Sequence, residues 1–178
     1  MVSSRRPVKP GYVVTYPNRE KRTSRLTRVA VALLLLLSAA LMLVVTIGGW
    51  SKLAGLEPLN LIWCVVYVVM AYYVMRWARD LLPIAIALGA LMLTFTVIAE
   101  TAAAGVSWSD RTAPGYSPAH ALFGRNGLSP STLSTLVIAI AVTQVLLIVA
   151  SIRGLDQGWN IEYEVPASAE DARAVPAV

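Results

Sequence analysis

Four long apolar stretches occupy most of this chain, and they constrain its fold more than any other feature. They run over about Val29–Trp50, Leu59–Met75, Leu81–Ala99 and Leu133–Ile152. Each is close to the ~20 residues that an α-helix needs to cross the hydrocarbon core of a bilayer. A soluble domain of 178 residues has no interior large enough to bury four such segments. The sequence therefore predicts an all-α integral membrane protein, a four-helix transmembrane bundle.

The charged residues are segregated in the way that a bilayer requires. The chain is 57% hydrophobic and 14% charged, whereas about a quarter of the residues are charged in an ordinary globular domain. The charges lie at the ends and in the connections, and none lies between Val29 and Trp50. A charge at the bilayer centre costs at least ~2.5 kcal/mol on insertion scales, which explains this pattern.

The apolar pattern divides the chain into three parts. We predict a basic cytoplasmic N-terminal segment at 1–28, a transmembrane domain at 29–152 and a cytoplasmic tail at 153–178. The predicted spans are 29–50, 59–75, 81–99 and 130–152, with an outward loop at about 100–129. Ser129 and Pro130 are typical of a helix start, and Arg153-Gly154 of a helix end. Because the connection between spans two and three is short, they are expected to be antiparallel neighbours, with Asp80 capping the third.

The distribution of Lys and Arg predicts the orientation. Twelve of them lie in the first 28 residues, in the connection after span two, or after span four; Lys52, Arg111 and Arg125 lie on the other side. Positive residues favour the cytoplasm, so both termini are predicted to be cytoplasmic in a multi-pass plasma-membrane protein. The first span is expected to be a retained signal anchor, because its apolar run exceeds the ~7–15 residues of the apolar h-region of a signal peptide.

The N-terminal segment is predicted to be flexible and to contact lipid. It has a net charge of +7, eight basic residues against Glu20, and three prolines. Its basic residues nearest the first span are expected to contact anionic headgroups: Arg19, Lys21, Arg22, Arg25 and Arg28. No folded basic module accompanies them, so no nucleic-acid partner is expected.

Two short segments near the ends of the chain have the character of β-strands. Residues 159–165 alternate strictly between apolar and polar, the period of a half-buried strand. Residues 11–16 are also rich in strand-forming residues and are predicted to lie on the same side of the membrane. The two segments are expected either to pair with each other or to join another protein's sheet edge. The candidate partner-docking residues are Trp159, Ile161, Tyr163 and Val165.

Polar residues inside the predicted spans are the natural candidates for chemistry. Tyr67 and Gln144 lie at the midpoints of spans two and four, so an interhelical hydrogen bond between them is geometrically reasonable. Such a pair serves either to hold two helices together or as part of a solute pathway. No Asp, Glu or His lies at mid-depth, which argues against a proton-coupled transporter.

The sequence contains no signature of a metal or cofactor site. With one cysteine, Cys64, and one histidine, His120, it can form neither an intramolecular disulfide nor a His/Cys metal cluster nor a bis-histidine haem site. His120, Asp110 and Glu100 are too scattered to indicate a site. The outward loop that contains His120 has three interpretations: a cap on the bundle or membrane surface, a partner-docking loop, or a ligand lid.

Three stretches carry a resemblance: residues 16–20 (YPNRE), 70–77 (MAYYVMRW) and 158–162 (GWNIE). They resemble segments of uncharacterised four-span membrane proteins of high-GC Gram-positive bacteria. The resemblance implies a bacterial plasma membrane, and it brings no activity, substrate, cofactor or functional residue.

These observations favour a non-enzymatic accessory or scaffold protein that acts through a protein partner or as a homo-oligomer. The alternative is an oligomeric small-solute channel or transporter, although four apolar spans do not favour a wide aqueous path. An intramembrane enzyme ranks third, because no convergent set of polar side chains can be assembled.

Overall fold

The computed structural model of the protein describes residues 11–53, 55–100, 117–124 and 126–166. The chain is mostly helical, and its four long helices are each long and apolar enough to cross a membrane. The elements, in chain order, are β1 (Tyr12–Thr15), α1 (Pro17–Glu20), α2 (Arg22–Gly48), α3 (Glu57–Met75), α4 (Leu82–Glu100), α5 (Pro130–Asp156) and β2 (Tyr163–Pro166). Short 3-10 turns precede α3 and α4.

Each long helix buries a seam with alternating spacings of three and four residues, and on α2 and α3 some of the residues next to this seam are also buried, as a second row. On α5 this seam comprises Leu133, Val137, Ile140, Gln144, Leu147, Ser151 and Gly154. On α4 it comprises Leu82, Ala85, Gly89, Met92 and Thr96. The mean spacing of 3.5 residues is the repeat of knobs-into-holes packing in left-handed bundles. The remaining helix faces are equally apolar but are exposed, with side chains such as Ile62 and Val65 about three-fifths accessible.

The helices pack in the order α3, α2, α5, α4. The close pairs are α2 with α3, α2 with α5 and α4 with α5. Spans two and three, here α3 and α4, are expected to be antiparallel neighbours. They are joined by a short hairpin and touch through Trp63 and Phe95, whose ring centroids lie 6.1 Å apart, but α3 packs more closely on α2 and α4 on α5. Gly89 permits the tight α4–α5 pair, since a Cβ there would lie 3.2 Å from Ile148.

The helix boundaries differ from those predicted by hydropathy. α2 begins at Arg22, seven residues before the predicted span, and α5 continues to Asp156. Ser129 caps α5 as predicted, because its Oγ accepts the backbone N–H of Thr132 at 3.2 Å. Gly154 does not end α5; it is buried against Leu82 and Trp159, so its role is close packing. Asp80 lies within the 3-10 turn that precedes α4, and the N-cap position of this turn is Ala78.

The two strand-like segments pair with each other. β1 and β2 form an antiparallel two-stranded sheet in which Val13 lies opposite Val165 and Thr15 opposite Tyr163. The predicted flexibility of the N-terminal segment is therefore wrong from residue 11 onward, while residues 1–10 lie outside the described part. We call the end of the bundle that carries this sheet the sheet end, and the opposite end the loop end.

At the loop end, residues 117–129 cover the end of α2. The backbone N–H groups of Leu122 and Leu128 donate to the carbonyls of Ile47 and Gly48 at 3.0 and 2.8 Å. These carbonyls lie in the last turn of α2 and have no partner within the helix. The segment therefore acts as a cap on the bundle, one of the three interpretations of the outward loop; residues 101–116 and Arg125 lie outside the described part.

Candidate functional site

The sheet is held on the bundle by contacts that we call the latch, formed by Tyr16, Asn18, Arg19, Arg28, Trp77, Trp159, Asn160 and Glu162. On the N-terminal side, Asn18 Nδ2 donates to the carbonyl of Gly158 at 3.1 Å. Arg19 donates from Nε to the carbonyl of Trp159 at 3.1 Å and from Nη2 to Asn160 Oδ1 at 2.9 Å. Two N–H donors of the Arg19 guanidinium thus bind residues 159 and 160, in the fixed fork geometry of this group.

Trp159 is the centre of the latch. Its side chain is fully buried, and its indole N–H donates to Gln157 Oε1 at 2.9 Å. Its ring contacts Trp77 edge-to-face, with ring centroids 5.6 Å apart. The prediction of a strand from Trp159 onward is therefore wrong: Trp159 lies in the turn after α5, and β2 begins only at Tyr163. The alternation does not mark a half-buried strand, since Trp159 is buried in the turn whereas Ile161, Tyr163 and Val165 are all exposed.

Trp77 ties the α3–α4 hairpin to the latch in a strained conformation. Its φ of 68° lies in the left-handed region, which costs a non-glycine residue about 1–2 kcal/mol. The guanidinium of Arg28 stacks 4.1 Å from the Trp77 ring centroid and also donates from Nη1 to the carbonyl of Met75 at 3.2 Å. These contacts offset the backbone strain and fix the hairpin against α2.

The basic residues predicted to contact lipid divide into two groups. Arg19 and Arg28 are half-buried and take part in the latch. Lys21, Arg22 and Arg25 are exposed, and Arg25 also donates from Nε to the carbonyl of Arg19 at 3.4 Å. Three of the five therefore have exposed side chains beside the latch.

The sheet presents an accessible surface above the latch. Tyr163 and Val165 share one face of β2 with their partners Thr15 and Val13, and Glu164 lies on the other face. Every residue of β2 is exposed, and Tyr163 is 52% accessible. Each strand pairs on one side only, so each leaves one edge without a neighbouring strand in the described part of the chain.

A second polar cluster lies at the centre of the bundle. The hydroxyl of Tyr67 donates to Gln144 Oε1 at 3.0 Å, the pair that the sequence predicts. Gln144 Nε2 donates to Ser38 Oγ at 3.0 Å, and Ser38 donates to the carbonyl of Leu34 at 2.8 Å. Tyr67, Gln144 and Ser38 are all fully buried, so this chain of hydrogen bonds joins α3, α5 and α2 in an apolar interior.

Sequence reasoning missed several members of these sites. Ser38 gives no hydropathy signal, but it lies on the 3.5-residue seam of α2 and could have been found by that spacing. In the sequence, Arg79 serves only to predict the orientation of the chain. In the structure, its Nη2 donates to the carbonyl of Leu155 at 2.6 Å, near the end of α5. In the described ranges, no three His, Cys, Asp or Glu side chains lie close enough to hold a metal ion.

Residues 16–20, 70–77 and 158–162 meet at the latch. Residues 16–20 contact residues 158–162 through the hydrogen bonds of Tyr16, Asn18 and Arg19, and Trp77 packs on Trp159. Comparison with protein-family models, with curated proteins and with solved structures finds no match to this chain.

Proposed function

We propose that this protein is a non-enzymatic, four-span membrane protein that presents its latched two-stranded sheet to a protein partner. The observation that carries the proposal is an exposed sheet with open edges, held on a helical bundle by buried aromatic contacts and hydrogen bonds. The partner would be a protein with an extended segment that adds to the sheet edge, with apolar side chains placed over Tyr163 and Val165.

The outward faces of the helices support the membrane location. Large aliphatic side chains cover them, and many of these side chains are more than 40% accessible. Soluble monomers rarely expose contiguous apolar patches larger than a few hundred Å². Lipid is the solvent that such a surface fits, and the four helices have the necessary length and composition.

The proposed orientation puts the sheet in the cytoplasm of a bacterial cell. The exposed Lys21, Arg22 and Arg25 lie beside the latch, where they would contact the anionic headgroups of the inner leaflet. Arg76 and Arg79 lie at the same end. The loop end would then face outward.

The sheet itself favours a docking role. A two-stranded sheet is at best marginally stable in water without a third strand or a packed face. Here the latch supplies the missing stability from the side of the bundle, and the other surfaces remain open. An open edge is a template for pairing with another chain, and structures usually protect such an edge unless it is used.

The bundle centre argues for a scaffold rather than a channel. Tyr67, Gln144 and Ser38 form a chain of hydrogen bonds that ends at the carbonyl of Leu34, an arrangement that holds helices together. The side chains above and below them in the seams are mostly aliphatic. An aqueous path would need further polar lining groups along the axis.

The test is recovery of a stoichiometric partner from native membranes in mild detergent. The variant Tyr163→Ser/Val165→Ser removes the apolar face of β2. Truncating a hot-spot aromatic residue costs about 2 kcal/mol or more, so recovery should fall by roughly 30-fold. Glu164→Gln, on the other face of the same strand, is the matched control and should retain the partner.

Two outcomes would contradict the proposal. One is a partner that is recovered equally with wild type and with Tyr163→Ser/Val165→Ser, both folded as judged by circular dichroism and a single gel-filtration peak. The other is a homogeneous homo-oligomer, without foreign protein, that makes liposomes permeable to small solutes. The second outcome would favour the channel.

A further inference from the structure

The register of the sheet determines which backbone groups point outward from each strand. In an antiparallel pair, opposite residues alternate between those that exchange both backbone hydrogen bonds and those that exchange none. Pro166 lies opposite Tyr12 and has no N–H, so this pair cannot exchange both bonds. The next pair along the register, Val13 with Val165, is therefore the hydrogen-bonded kind.

The pair that follows, Val14 with Glu164, directs its backbone N–H and C=O groups away from the sheet, on opposite edges. Those of Val14 have no hydrogen-bond partner in the described part of the chain. Within the same ranges, β2 is the only element that packs closely on β1. The outer edge of β1 is therefore open to a further strand at Val14.

The side chains of β1 make this edge complementary to itself. Residues 12–16 carry no charge, and all five are β-branched or aromatic, the types that favour strands. When two copies of β1 pair antiparallel about a two-fold axis at Val14, this residue lies opposite its own counterpart and Tyr12 lies opposite Tyr16. Every cross-strand pair is then uncharged, and aromatic and β-branched pairs stabilise a sheet.

The edge of β2 lacks this complementarity. A two-fold axis at Glu164, whose side chain is exposed, would put two carboxylates opposite each other. Like charges in that position are destabilising. The same axis would pair Glu162 with Pro166, which has no N–H to donate. The edge of β2 is therefore unfavourable for a second copy, and it stays open to a different partner.

We propose that two copies of this protein pair through β1, so that their two-stranded sheets join into one four-stranded sheet of order β2-β1-β1-β2. A two-stranded sheet is marginally stable in water, whereas three or more strands with an apolar face are stable on their own. Pairing continues the face that contains Val13, Tyr163 and Val165 across the two-fold axis. This inference goes beyond the docking role of the sheet, because it leaves the edge of β2 in each copy open to the partner.

Disulfide trapping in native membranes tests the pairing and its register. Opposite residues of a hydrogen-bonded antiparallel pair have Cα atoms about 5.5 Å apart, within the ~4.4–6.8 Å that a disulfide spans. In a Cys64→Ala background, Val14→Cys should therefore give a cross-linked dimer on mild oxidation. Glu164→Cys, at the matching position on the other edge, is the control and should not cross-link.

Native mass spectrometry of the purified full chain in mild detergent measures the pairing without any other protein. Wild type should be a dimer. Val14→Pro removes one outward N–H from each copy, so the interface loses two hydrogen bonds and the Kd of the dimer should rise by about 30-fold. Glu164→Pro makes the same change on the other edge and should dimerise as wild type does.

The proposal is overturned by a monomeric wild type, by equal cross-linking of Val14→Cys and Glu164→Cys, or by equal Kd values of wild type and Val14→Pro. If Val14→Pro loses the sheet, as judged by hydrogen exchange at 163 and 165, the cross-linking comparison decides the matter. Recovery of a foreign partner is a separate measurement, so the failure of the dimer and the failure of the docking role are distinguishable.

Discussion

Gln144 shows how one polar side chain can organise an apolar bundle. Its amide oxygen accepts from Tyr67 on α3, and its amide nitrogen donates to Ser38 on α2. Gly89 on α4 lies beside it, and a Cβ there would lie in ordinary van der Waals contact, 3.6 Å from Gln144 Oε1. In hydrocarbon the hydrogen-bonded groups have no water to replace a lost partner, so the register of α2, α3 and α5 is linked to this one residue.

Replacing Gln144 should weaken the bundle modestly. Gln144→Leu removes two interhelical hydrogen bonds, each worth about 0.6 kcal/mol on average in membrane proteins, so the free energy of unfolding should fall by about 1 kcal/mol. The measurement is equilibrium unfolding in mixed micelles. Thr143→Val is the control, because the Thr143 hydroxyl donates to the carbonyl of Ala139 in its own helix, at 2.7 Å. A variant as stable as wild type would show that the chain of hydrogen bonds is energetically neutral.

The interaction energy between Tyr67 and Gln144 can be measured by a double-mutant cycle. Tyr67→Phe and Gln144→Leu both remove the hydrogen bond between α3 and α5, so their effects on unfolding should not add. The expected coupling energy is about 0.5–1 kcal/mol. Strict additivity of the two effects would mean that the bond contributes nothing.

At the scale of elements, the latch depends on the close approach between the end of α5 and the turn that follows it. Gly154 lies under Trp159, and a Cβ at this position would meet Leu82 Cδ1 at 2.9 Å and Trp159 Cζ2 at 3.1 Å. The bulk of Trp159 is therefore accommodated by the absence of a side chain one turn earlier. This contact, rather than helix termination, is what the glycine provides.

Adding a side chain at Gly154 should displace Trp159. Gly154→Val gains a few tenths of a kcal/mol in helix propensity but introduces overpacking that costs about 1–3 kcal/mol, so the clash decides the outcome. We expect Trp159 to become accessible. Its contribution, measured as the difference in fluorescence between each protein and the same protein carrying Trp159→Phe, should shift to the red and be quenched by iodide. Arg153→Ala, at the neighbouring exposed position, is the control. An unchanged spectrum in Gly154→Val would contradict the packing described here.

The attachment of the sheet to the bundle should depend on Arg19. Arg19→Ala removes two hydrogen bonds to residues 159 and 160 and the stacking on Tyr16 at 4.0 Å. Amide hydrogen exchange at 12–15 and 163–165 should accelerate, because the sheet loses its attachment to the bundle. Lys21→Ala, at an exposed position two residues away, should leave exchange unchanged. Equal exchange in wild type and Arg19→Ala would show that the sheet is stable without the latch.

For the whole molecule, the sequence predicts the spans well and the contacts less well. Hydropathy locates the four helices, because lipid exposure requires apolar side chains over the full length of each span. It places their ends incorrectly, since polar turns at Arg22 and Asp156 continue the helix without being apolar. Hydropathy also does not predict which helices pack against each other, because the buried and exposed faces of α3 and α4 are equally apolar.

The candidate sites were only partly predictable for a similar reason. Tyr67 and Gln144 are visible because polar residues are rare in apolar spans. Arg19 has the same sequence signature whether it contacts lipid or a backbone carbonyl, so its place in the latch depends on the tertiary structure. The sequence predicts a strand from Trp159 onward because alternation over a few residues does not distinguish a strand from a turn with one buried side chain.

The central claim is that four helices cross a membrane with the sheet on the cytoplasmic side. Single cysteines in a Cys64→Ala background test it directly, at Ser117→Cys on the loop end and Glu164→Cys on the sheet. Both positions are exposed. With a membrane-impermeant maleimide on intact cells, Ser117→Cys should be labelled, and Glu164→Cys should be labelled only after permeabilisation. Labelling of Glu164→Cys in intact cells would contradict the account.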